Sequence, residues 1–557
     1  MPKNEGPSSQ SVRTTRQFAF SDWLLAQTTE AELRTKIQPR SPQNTFPSPS
    51  SPTNAPKLPL CAPLRLGHSL PMRFALIPLF FSLLHAQDAE KKDDNAAEKV
   101  KASKQDSVTI AGKKIDYRVT ASTLVLKSED DKDRASIFHV AYERIGLQDR
   151  HKRPVMFAFN GGPGSSAVWL HMGALGPRIV PTTPDGTQTI PPPITFQENP
   201  HSILDVADIV FIDPVSTGFS RAEGETNANE FHGVSGDISS VGDFIRRWIT
   251  ENDRWASPKY LLGESYGGVR ATGLADHLQD EHGMTLNGVV LLSSLIDFRT
   301  LRSNKADDLS YAVFLPALTA TSHFHKKISG DRDALVKEAY TFAFGAYSQA
   351  LLKGADISTE EKESVAAQLE KFTSLPASLF IESNLRLSST RYRKELLRDE
   401  SKVLGRFDAR IAWPATNSSE DYPSYDPSYA VAYGAFSTAI NDYLSRDLGW
   451  EGHHPYKILT GDVRPWNWGT SNSVLNMTRN LENAMRENPN LKVLVMCGYT
   501  DLATPPANMQ YSISHLFDIP DERRKAIEFT WYEAGHMFYL NQPDLEKMRK
   551  DLVKFIK

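Results

Sequence analysis

The sequence predicts an α/β fold in which a mostly parallel sheet is covered by helices on both faces. Three observations predict it. Short and nearly continuous apolar runs recur along the chain, and several of them end abruptly at Gly, Pro or a polar loop. Amphipathic helical patterns separate some of these runs. The runs are too continuous for strands with one face in water, and strands buried on both faces are typical of parallel sheets flanked by helices.

The individual strands and helices follow from the period of the apolar residues. Strands are predicted at 136–142, 154–159, 207–212, 259–262, 289–292, 492–497 and 527–532. Apolar residues at helical spacing predict helices over 236–251 and 543–556. Residues from about 298 to 460 break this rhythm, because they are helix-prone and charged. We expect them to form a helical cap insertion over one end of the sheet.

The beginning of the chain differs from the rest. Residues 1–71 hold Ser-Pro-rich stretches without a sustained apolar period, so we expect them to be disordered. Residues 72–87 combine Met72, Arg73, an apolar run and a small residue near their end, which is typical of a secretory signal peptide. The run is shorter than the roughly 20 apolar residues that span a bilayer, so no stable membrane insertion is expected.

Several expectations depend on this signal peptide. Translation would begin at Met72, residues 88–105 would be a polar linker, and the catalytic domain would cover 106–557. The protein would be secreted or periplasmic. Sequencing the N terminus of the natural mature protein tests this, because a terminus upstream of Met72 would contradict it.

Charge and cysteine content exclude several classes of partner and site. The formal net charge of -4 provides no electrostatic reason to expect a nucleic-acid partner. The two cysteines are Cys61 and Cys497, and Cys61 lies in the segment that we expect the mature protein to lack. A single remaining cysteine excludes an internal disulfide and a metal site built from several cysteines. The oligomeric state leaves no signal in the sequence.

A nucleophile motif lies between one strand and the next helix. Residues 263–267 read Gly-Glu-Ser-Tyr-Gly, which fits the pattern Gly-x-Ser-x-Gly. In the α/β-hydrolase fold this pattern forms a sharp turn that exposes a serine hydroxyl above the sheet. Strand 259–262 precedes the motif, and apolar residues at positions 271, 274, 275 and 278 predict an amphipathic helix behind it. This context favours the α/β-hydrolase fold with Ser265 as the nucleophile.

A serine nucleophile needs a base and an acid that orients the base. This fold supplies them in the chain order Ser, acid, His, from loops that follow later strands. Asp501 follows strand 492–497, and His536 follows strand 527–532. We therefore predict the triad Ser265, Asp501 and His536, with Asp462 and Asp518 as alternative acids.

The developing oxyanion needs two backbone amides. One should come from Tyr266, directly after the nucleophile. The other should come from a glycine-rich turn after an early strand, and residues 160–164, Asn-Gly-Gly-Pro-Gly, fit that description. The amide of Gly162 is therefore the predicted second donor. This chemistry requires neither a metal ion nor an organic cofactor.

Four motifs together resemble the serine carboxypeptidase family: residues 160–166 (NGGPGSS), 213–220 (DPVSTGFS), 263–268 (GESYGG) and 534–537 (AGHM). The resemblance extends from about residue 110 to the C terminus, and it is to a bacterial-type member without the usual disulfides. It implies the α/β-hydrolase fold and removal of C-terminal residues from peptides, commonly at acidic pH. It also implies that Asn160, the Gly161 amide and Glu264 bind the terminal carboxylate of a peptide substrate.

Three positions depart from the family pattern. Ser165 stands where members commonly have a disulfide-bonded Cys, and Ala158 stands where they commonly have Trp. Ala174 replaces a second Glu that would share a proton with Glu264. Two adjacent carboxyls share a proton because both cannot ionise. A lone Glu264 would repel a substrate carboxylate if ionised, but could still donate a hydrogen bond to it if desolvated and protonated.

The expected function is that of a serine-type carboxypeptidase acting through an acyl-enzyme. An esterase or acyltransferase of the same fold would keep the acyl transfer from Ser265 and lack the C-terminal specificity. An inactive binding module is the alternative from another class, and the complete triad disfavours it. A fluorophosphonate probe separates the last two classes, because only a working hydrolase would be labelled at Ser265.

Overall fold

The computed structural model describes residues 101–302, 307–452 and 454–557. The expected disordered segment 1–71, the signal peptide 72–87 and linker residues 88–100 lie outside the described residues. The strands are β1 (Lys101–Ile110), β2 (Lys113–Lys127), β3 (Asp133–Arg144), β4 (Val155–Phe159), β5 (Arg178–Ile179), β6 (Gln197–Glu198), β7 (Asp208–Ile212), β8 (Arg221–Ala222), β9 (Lys259–Glu264), β10 (Gly288–Leu292), β11 (Lys402–Leu404), β12 (Ala412–Pro414), β13 (Lys492–Gly498) and β14 (Glu528–Tyr532).

One large sheet organises the described part of the chain. Its order is β1-β2-β3-β7-β4-β9-β10-β13-β14, and β8 pairs with β3 at one side. The strands from β7 to β14 run parallel to one another, whereas β1, β2 and β3 extend the sheet in antiparallel fashion. The carboxyl ends of all the parallel strands therefore meet at one edge, where ligand sites of α/β sheets lie.

Every strand predicted from the sequence is present, but two features differ from the prediction. The segment 136–142 lies in β3, which is antiparallel to its neighbours rather than parallel. Residues 101–105, predicted as linker, belong to β1, where Lys101 pairs with Ser122 of β2. The linker prediction was wrong there because β1 is an edge strand. Only alternate positions such as Ala102 and Val108 are buried, so its composition is mostly polar.

Helices cover both faces of the sheet. They are α1 (Val168–Leu170), α2 (Val234–Glu251), α3 (Gly267–His282), α4 (Leu309–Phe324), α5 (Arg332–Phe342), α6 (Ser348–Leu352), α7 (Thr359–Thr373), α8 (Ala377–Glu382), α9 (Ser389–Glu395), α10 (Pro427–Asp442), α11 (Thr478–Glu487), α12 (Ala507–Ser514), α13 (Asp521–Lys525) and α14 (Gln542–Ile556). Three π-helical turns, His171–Leu175, Ala343–Tyr347 and Tyr443–Asp447, follow α1, α5 and α10. In the described ranges, none of these helices is both long and apolar enough to span a bilayer.

Adjacent residues of one strand face different cores, as expected for a sheet buried on both sides. Tyr260 and Leu262 of β9 pack in the core that contains Phe555 of α14. Leu261 packs in the other core, with Trp248 of α2. This arrangement explains why the parallel strands have continuous apolar sequences.

The segment between β10 and β13 forms a helical insertion with an apolar cluster of its own. The cluster draws on α4, α5, α7, α8 and α9 and includes Leu502, the residue after Asp501. Helix α10 packs instead on the core beneath α14. The insertion thus contacts the carboxyl edge of the sheet beside the loop that carries Asp501.

Candidate active site

Ser265 occupies a tight turn between β9 and α3. Its φ is +62°, a left-handed conformation that is rare for a residue with a side chain. Its backbone amide donates to the Leu292 carbonyl of β10 at 3.1 Å. A side chain at position 263 would place its Cβ 2.0 Å from the Gly267 carbonyl oxygen, so the strand and the helix can approach only with glycine there. The turn has the form expected of a nucleophile elbow.

Asp501 and His536 meet in a buried hydrogen bond. His536 Nδ1 lies 2.8 Å from Asp501 Oδ2, and the two residues are 2% and 1% exposed. Both follow parallel strands, β13 and β14, at the edge where Ser265 follows β9. The alternative acids have other partners, since Asp462 pairs with Lys457 at 2.7 Å and the Asp518 amide donates to Glu482.

Two backbone amides hold the Asp501 carboxylate in place, and the Thr504 hydroxyl lies beside it. The amides of Ala503 and Thr504 donate to Oδ1 at 2.7 and 2.9 Å. Thr504 Oγ1 lies 2.9 Å from Oδ2 and 3.0 Å from His536 Nδ1. The sequence prediction missed Thr504, although a hydroxyl residue soon after an Asp is a common local partner for its side chain in a turn.

The glycine-rich turn packs directly against the nucleophile elbow. A Cβ at Gly161 would lie 2.4 Å from the Tyr266 amide nitrogen, so only glycine permits this approach. Arg270 of α3 donates through Nη1 to the Asn160 carbonyl at 2.5 Å and pairs with Asp237 in a buried ion pair. The turn that contains Gly162 therefore lies beside the Tyr266 amide, as the oxyanion prediction requires.

Glu264, the residue before Ser265, is buried and hydrogen-bonded. Tyr539 donates its hydroxyl to Glu264 Oε2 at 2.8 Å, and the Asn160 side chain hydrogen-bonds the same carboxyl. Burial raises the pKa of Glu264 to about 7, and the nearby His536 and the two hydrogen bonds oppose this increase only in part. Tyr539 was not among the predicted site residues, and no motif in the sequence marks it.

The three departures from the family pattern are all buried. Ala174 is 1% exposed and presents no polar side chain, and Glu264 hydrogen-bonds Tyr539 and Asn160 instead. Ser165 lies 3.1 Å from Trp169 Nε1, which donates to its hydroxyl. Ala158 is fully buried in β4. All three side chains are therefore shielded from solvent.

The site has no metal cluster or reactive thiol among the described residues. Among the residues with described coordinates, no cluster of three or more His, Cys, Asp or Glu side chains could hold a metal ion. Cys497 is a free buried thiol in β13, and burial raises its pKa. A buried thiol with a raised pKa is unreactive, so we assign Cys497 to packing.

Comparison with known proteins identifies the group to which these features belong. The family model for serine carboxypeptidases matches residues 125–533. The lysosomal protective protein of Mus musculus is 26% identical over 176 residues, which cover 31% of this chain and 33% of the relative. Serine carboxypeptidase-like 36 of Arabidopsis thaliana is 30% identical over 163 residues, covering 28% and 30% of the two chains. The matched part thus spans about a third of these curated relatives.

A solved structure is similar over more of the chain. The prohormone-processing carboxypeptidase Kex1 of Saccharomyces cerevisiae covers 79% of this chain and 91% of its own, with 17% identity and a TM-score of 0.49. The fold assignment rests on the sheet order and the elbow described above. Because the family model matches well over half of the residues, this chain belongs to the serine carboxypeptidase family.

Proposed function

We propose that this chain is a serine-type carboxypeptidase that cleaves the last peptide bond of its substrate through an acyl-enzyme. Ser265 Oγ attacks the carbonyl carbon, and His536 Nε2 takes the hydroxyl proton. Asp501 holds the imidazole through Nδ1 and stabilises its charged form. The buried contact of 2.8 Å between Asp501 and His536 supports these roles.

The rest of the reaction uses the same groups. The amides of Gly162 and Tyr266 stabilise the negative oxygen of the tetrahedral intermediate. His536 then gives its proton to the departing amine, which leaves as the C-terminal amino acid and exposes the acyl-enzyme. Water attacks the ester with His536 as its base, and Ser265 recovers its proton. The close packing of the 160–164 turn on Tyr266 supports the assignment of the oxyanion donors.

The proposed specificity for the C terminus of a peptide depends on the protonation of Glu264. Its pKa is raised to about 7 by burial, so the carboxyl is neutral in mildly acidic solution. A neutral carboxyl can donate a hydrogen bond to the substrate's terminal carboxylate, together with the Gly161 amide. The Asn160 side chain, which hydrogen-bonds Glu264, completes the proposed carboxylate site. As the pH rises through about 7, Glu264 ionises and repels that carboxylate. Activity on free-acid substrates should therefore decrease across this range.

The test compares an N-blocked dipeptide that has a free C-terminal carboxylate with the same dipeptide amidated. Hydrolysis would be measured from about pH 4 to about pH 8, a range that brackets the titration of a desolvated carboxyl. Ser265→Ala provides the blank. We expect a preference for the free acid of roughly 100-fold at low pH, which fades as the pH rises.

Other outcomes would redirect the assignment. Equal or faster turnover of the amide, or activity on simple esters alone, would keep the triad and make the enzyme an esterase or acyltransferase. The Ala174 and Ala158 departures are the observations that favour this second candidate. Absence of both turnover and labelling by a fluorophosphonate would indicate an inactive binding module.

We also propose that the mature protein acts in a secretory or periplasmic compartment on peptide substrates. The relevant segment, 72–87, is outside the described residues, so this proposal depends on its sequence pattern. A cytosolic mature form that retains this segment would contradict it.

A further inference from the structure

We infer that Tyr539 is a positioning residue for Glu264: its hydroxyl directs the proton of the neutral carboxyl to Oε1, where it can be donated to the substrate. This inference rests on the proposed carboxypeptidase function and deepens it. The contact that carries it is the hydrogen bond of 2.8 Å from the Tyr539 hydroxyl to Glu264 Oε2. Both side chains are buried, Tyr539 at 1% and Glu264 at 3% exposure.

The orientation of Asn160 sets the direction of this hydrogen bond. Asn160 Oδ1 accepts from the Leu170 amide at 3.2 Å. The side-chain oxygen is thereby turned towards Leu170, and the NH2 group is left for Glu264 and Tyr539, both of which hydrogen-bond the Asn160 side chain. Asn160 is itself buried, at 2% exposure, so little solvent competes for its hydrogen bonds.

A phenol has one hydrogen to donate. Since the Tyr539 oxygen accepts from Asn160, its hydrogen points to Glu264 Oε2. A carboxyl proton on Oε2 would face the phenol hydrogen, which is unfavourable because two donors would then point at each other. The proton of neutral Glu264 is therefore favoured on Oε1.

Tyr539 keeps this role across the working pH range. Burial, followed by the nearby Glu264 charge, raises the pKa of Tyr539 well above its usual range, so the phenol stays protonated. Besides Tyr539, the titratable groups that act on Glu264 are His536 and Asp501. The Tyr539 hydrogen bond favours the ionised form of Glu264, so removing it should raise the pKa of Glu264.

The test is Tyr539→Phe, which removes one oxygen from a buried ring. Tyr532→Phe is the matched control, because Tyr532 is equally buried and donates to another carboxylate, Asp551, at 2.7 Å. We expect Tyr539→Phe to lower kcat/KM for the free-acid dipeptide roughly 10-fold at low pH. The decline at high pH should move upward by about one pH unit. Amide hydrolysis and the profile of Tyr532→Phe should be unchanged.

Each outcome has a defined meaning. A wild-type enzyme that does not prefer the free acid contradicts the proposed function, and this inference with it. A wild-type preference with an unshifted decline in Tyr539→Phe overturns this inference alone.

If Tyr539→Phe does not fold, Glu264→Gln provides a second measurement. Its amide oxygen should accept from Tyr539, and its NH2 should face the substrate. We expect this variant to keep a free-acid preference that no longer depends on pH. Loss of that preference at all pH values overturns the inference.

Discussion

At the scale of single residues, hydrogen-bond donors fix the orientation of the Asp501 carboxylate in the candidate site. The Asp501 carboxylate accepts from two backbone amides on one oxygen, while its other oxygen faces His536. A carboxylate held in this way favours the imidazole tautomer with hydrogen on Nδ1, as the proposed role of Nε2 as the base requires. The buried state of both residues strengthens the interaction, because little solvent screens it.

The first prediction concerns Asp501→Asn. We expect kcat for the free-acid dipeptide to fall by about 10³- to 10⁴-fold, because the asparagine NH2 favours the wrong histidine tautomer. Steady-state kinetics, with the circular dichroism of the variant as a check on folding, would measure this. A decrease of less than about tenfold would mean that another acid orients His536. Asp462→Asn is the control and should leave kcat unchanged, since Asp462 pairs with Lys457.

At the scale of elements, buried carboxyls connect turns that are distant in sequence. Asp213 directly follows β7, and its Oδ1 accepts from the amide of Ala167, just after the glycine-rich turn, at 2.8 Å. Burial raises the pKa of Asp213 to about 7 from its ordinary value of 3.8. Between these values the folded protein binds a proton that the unfolded chain does not, so the free energy of unfolding decreases as the pH rises.

The second prediction is that Asp213→Asn removes this loss of stability. Asparagine keeps an acceptor for Ala167 and does not titrate. As the pH rises from about 4 to about 7, the free energy of unfolding of the variant should increase relative to that of the wild type by up to about 4 kcal/mol. Urea denaturation at several pH values would measure the difference.

The control for this prediction is Asp462, whose pKa is shifted in the opposite direction to that of Asp213. The Lys457 side chain holds the pKa of Asp462 below its usual value, so that carboxylate stabilises the fold above its unfolded pKa and loses this effect as the pH falls. Asp462→Asn should thus become relatively less stable as the pH rises through the acidic range. A difference between Asp213→Asn and the wild type that is constant with pH would contradict the prediction.

The inserted segment between β10 and β13 also shapes the site as an element. Phe407 accepts a hydrogen bond at its carbonyl from the His536 amide at 2.5 Å, and its ring lies 5.2 Å from the imidazole ring. Tyr429 of α10 lies 6.4 Å from the Phe407 ring. The insertion therefore supplies an aromatic surface next to His536, the proposed base.

At the scale of the whole molecule, a group of buried charges lies at the edge of the sheet opposite to the candidate site. Asp208, the first residue of β7, lies 2.6 Å from Arg153 Nε and 2.7 Å from Arg254 Nη1. The Arg254 side chain is fully buried. This group is at the amino ends of the parallel strands, opposite to the edge that carries Ser265, so its contribution is to stability.

The third prediction is that Asp208→Asn lowers the free energy of unfolding by about 3–5 kcal/mol, because two arginines would be left buried without their counter-charge. Urea denaturation would measure it. Fluorophosphonate labelling per folded molecule should be unchanged, since the site is at the other edge. Asp447→Asn, which breaks the part-exposed pair with Lys104, should change stability by less than about 1 kcal/mol. Equal effects of the two variants would contradict the prediction.

The sequence alone determined the features that depend on short stretches of chain. The parallel strands are continuous apolar runs, and the elbow at Ser265 is a local pattern of glycines around a serine, so both could be predicted without knowledge of contacts. The positions of Asp501 and His536 followed from chain order, because parallel strands end at one edge and place the residues after them together. Their roles in catalysis stay predictions until the kinetics are measured.

Tertiary structure decided what depends on residues far apart in sequence. Strand β1 pairs through its backbone while its exposed side chains are polar, so its composition resembled a linker. Tyr539 reaches Glu264 across 275 positions, and Phe407 reaches His536 from the insertion, without a motif to mark either contact. The pKa of Glu264 is a property of that burial and of those neighbours. A sequence pattern records what a segment prefers, whereas a desolvated carboxyl and its donor exist only once packing brings them together and excludes water.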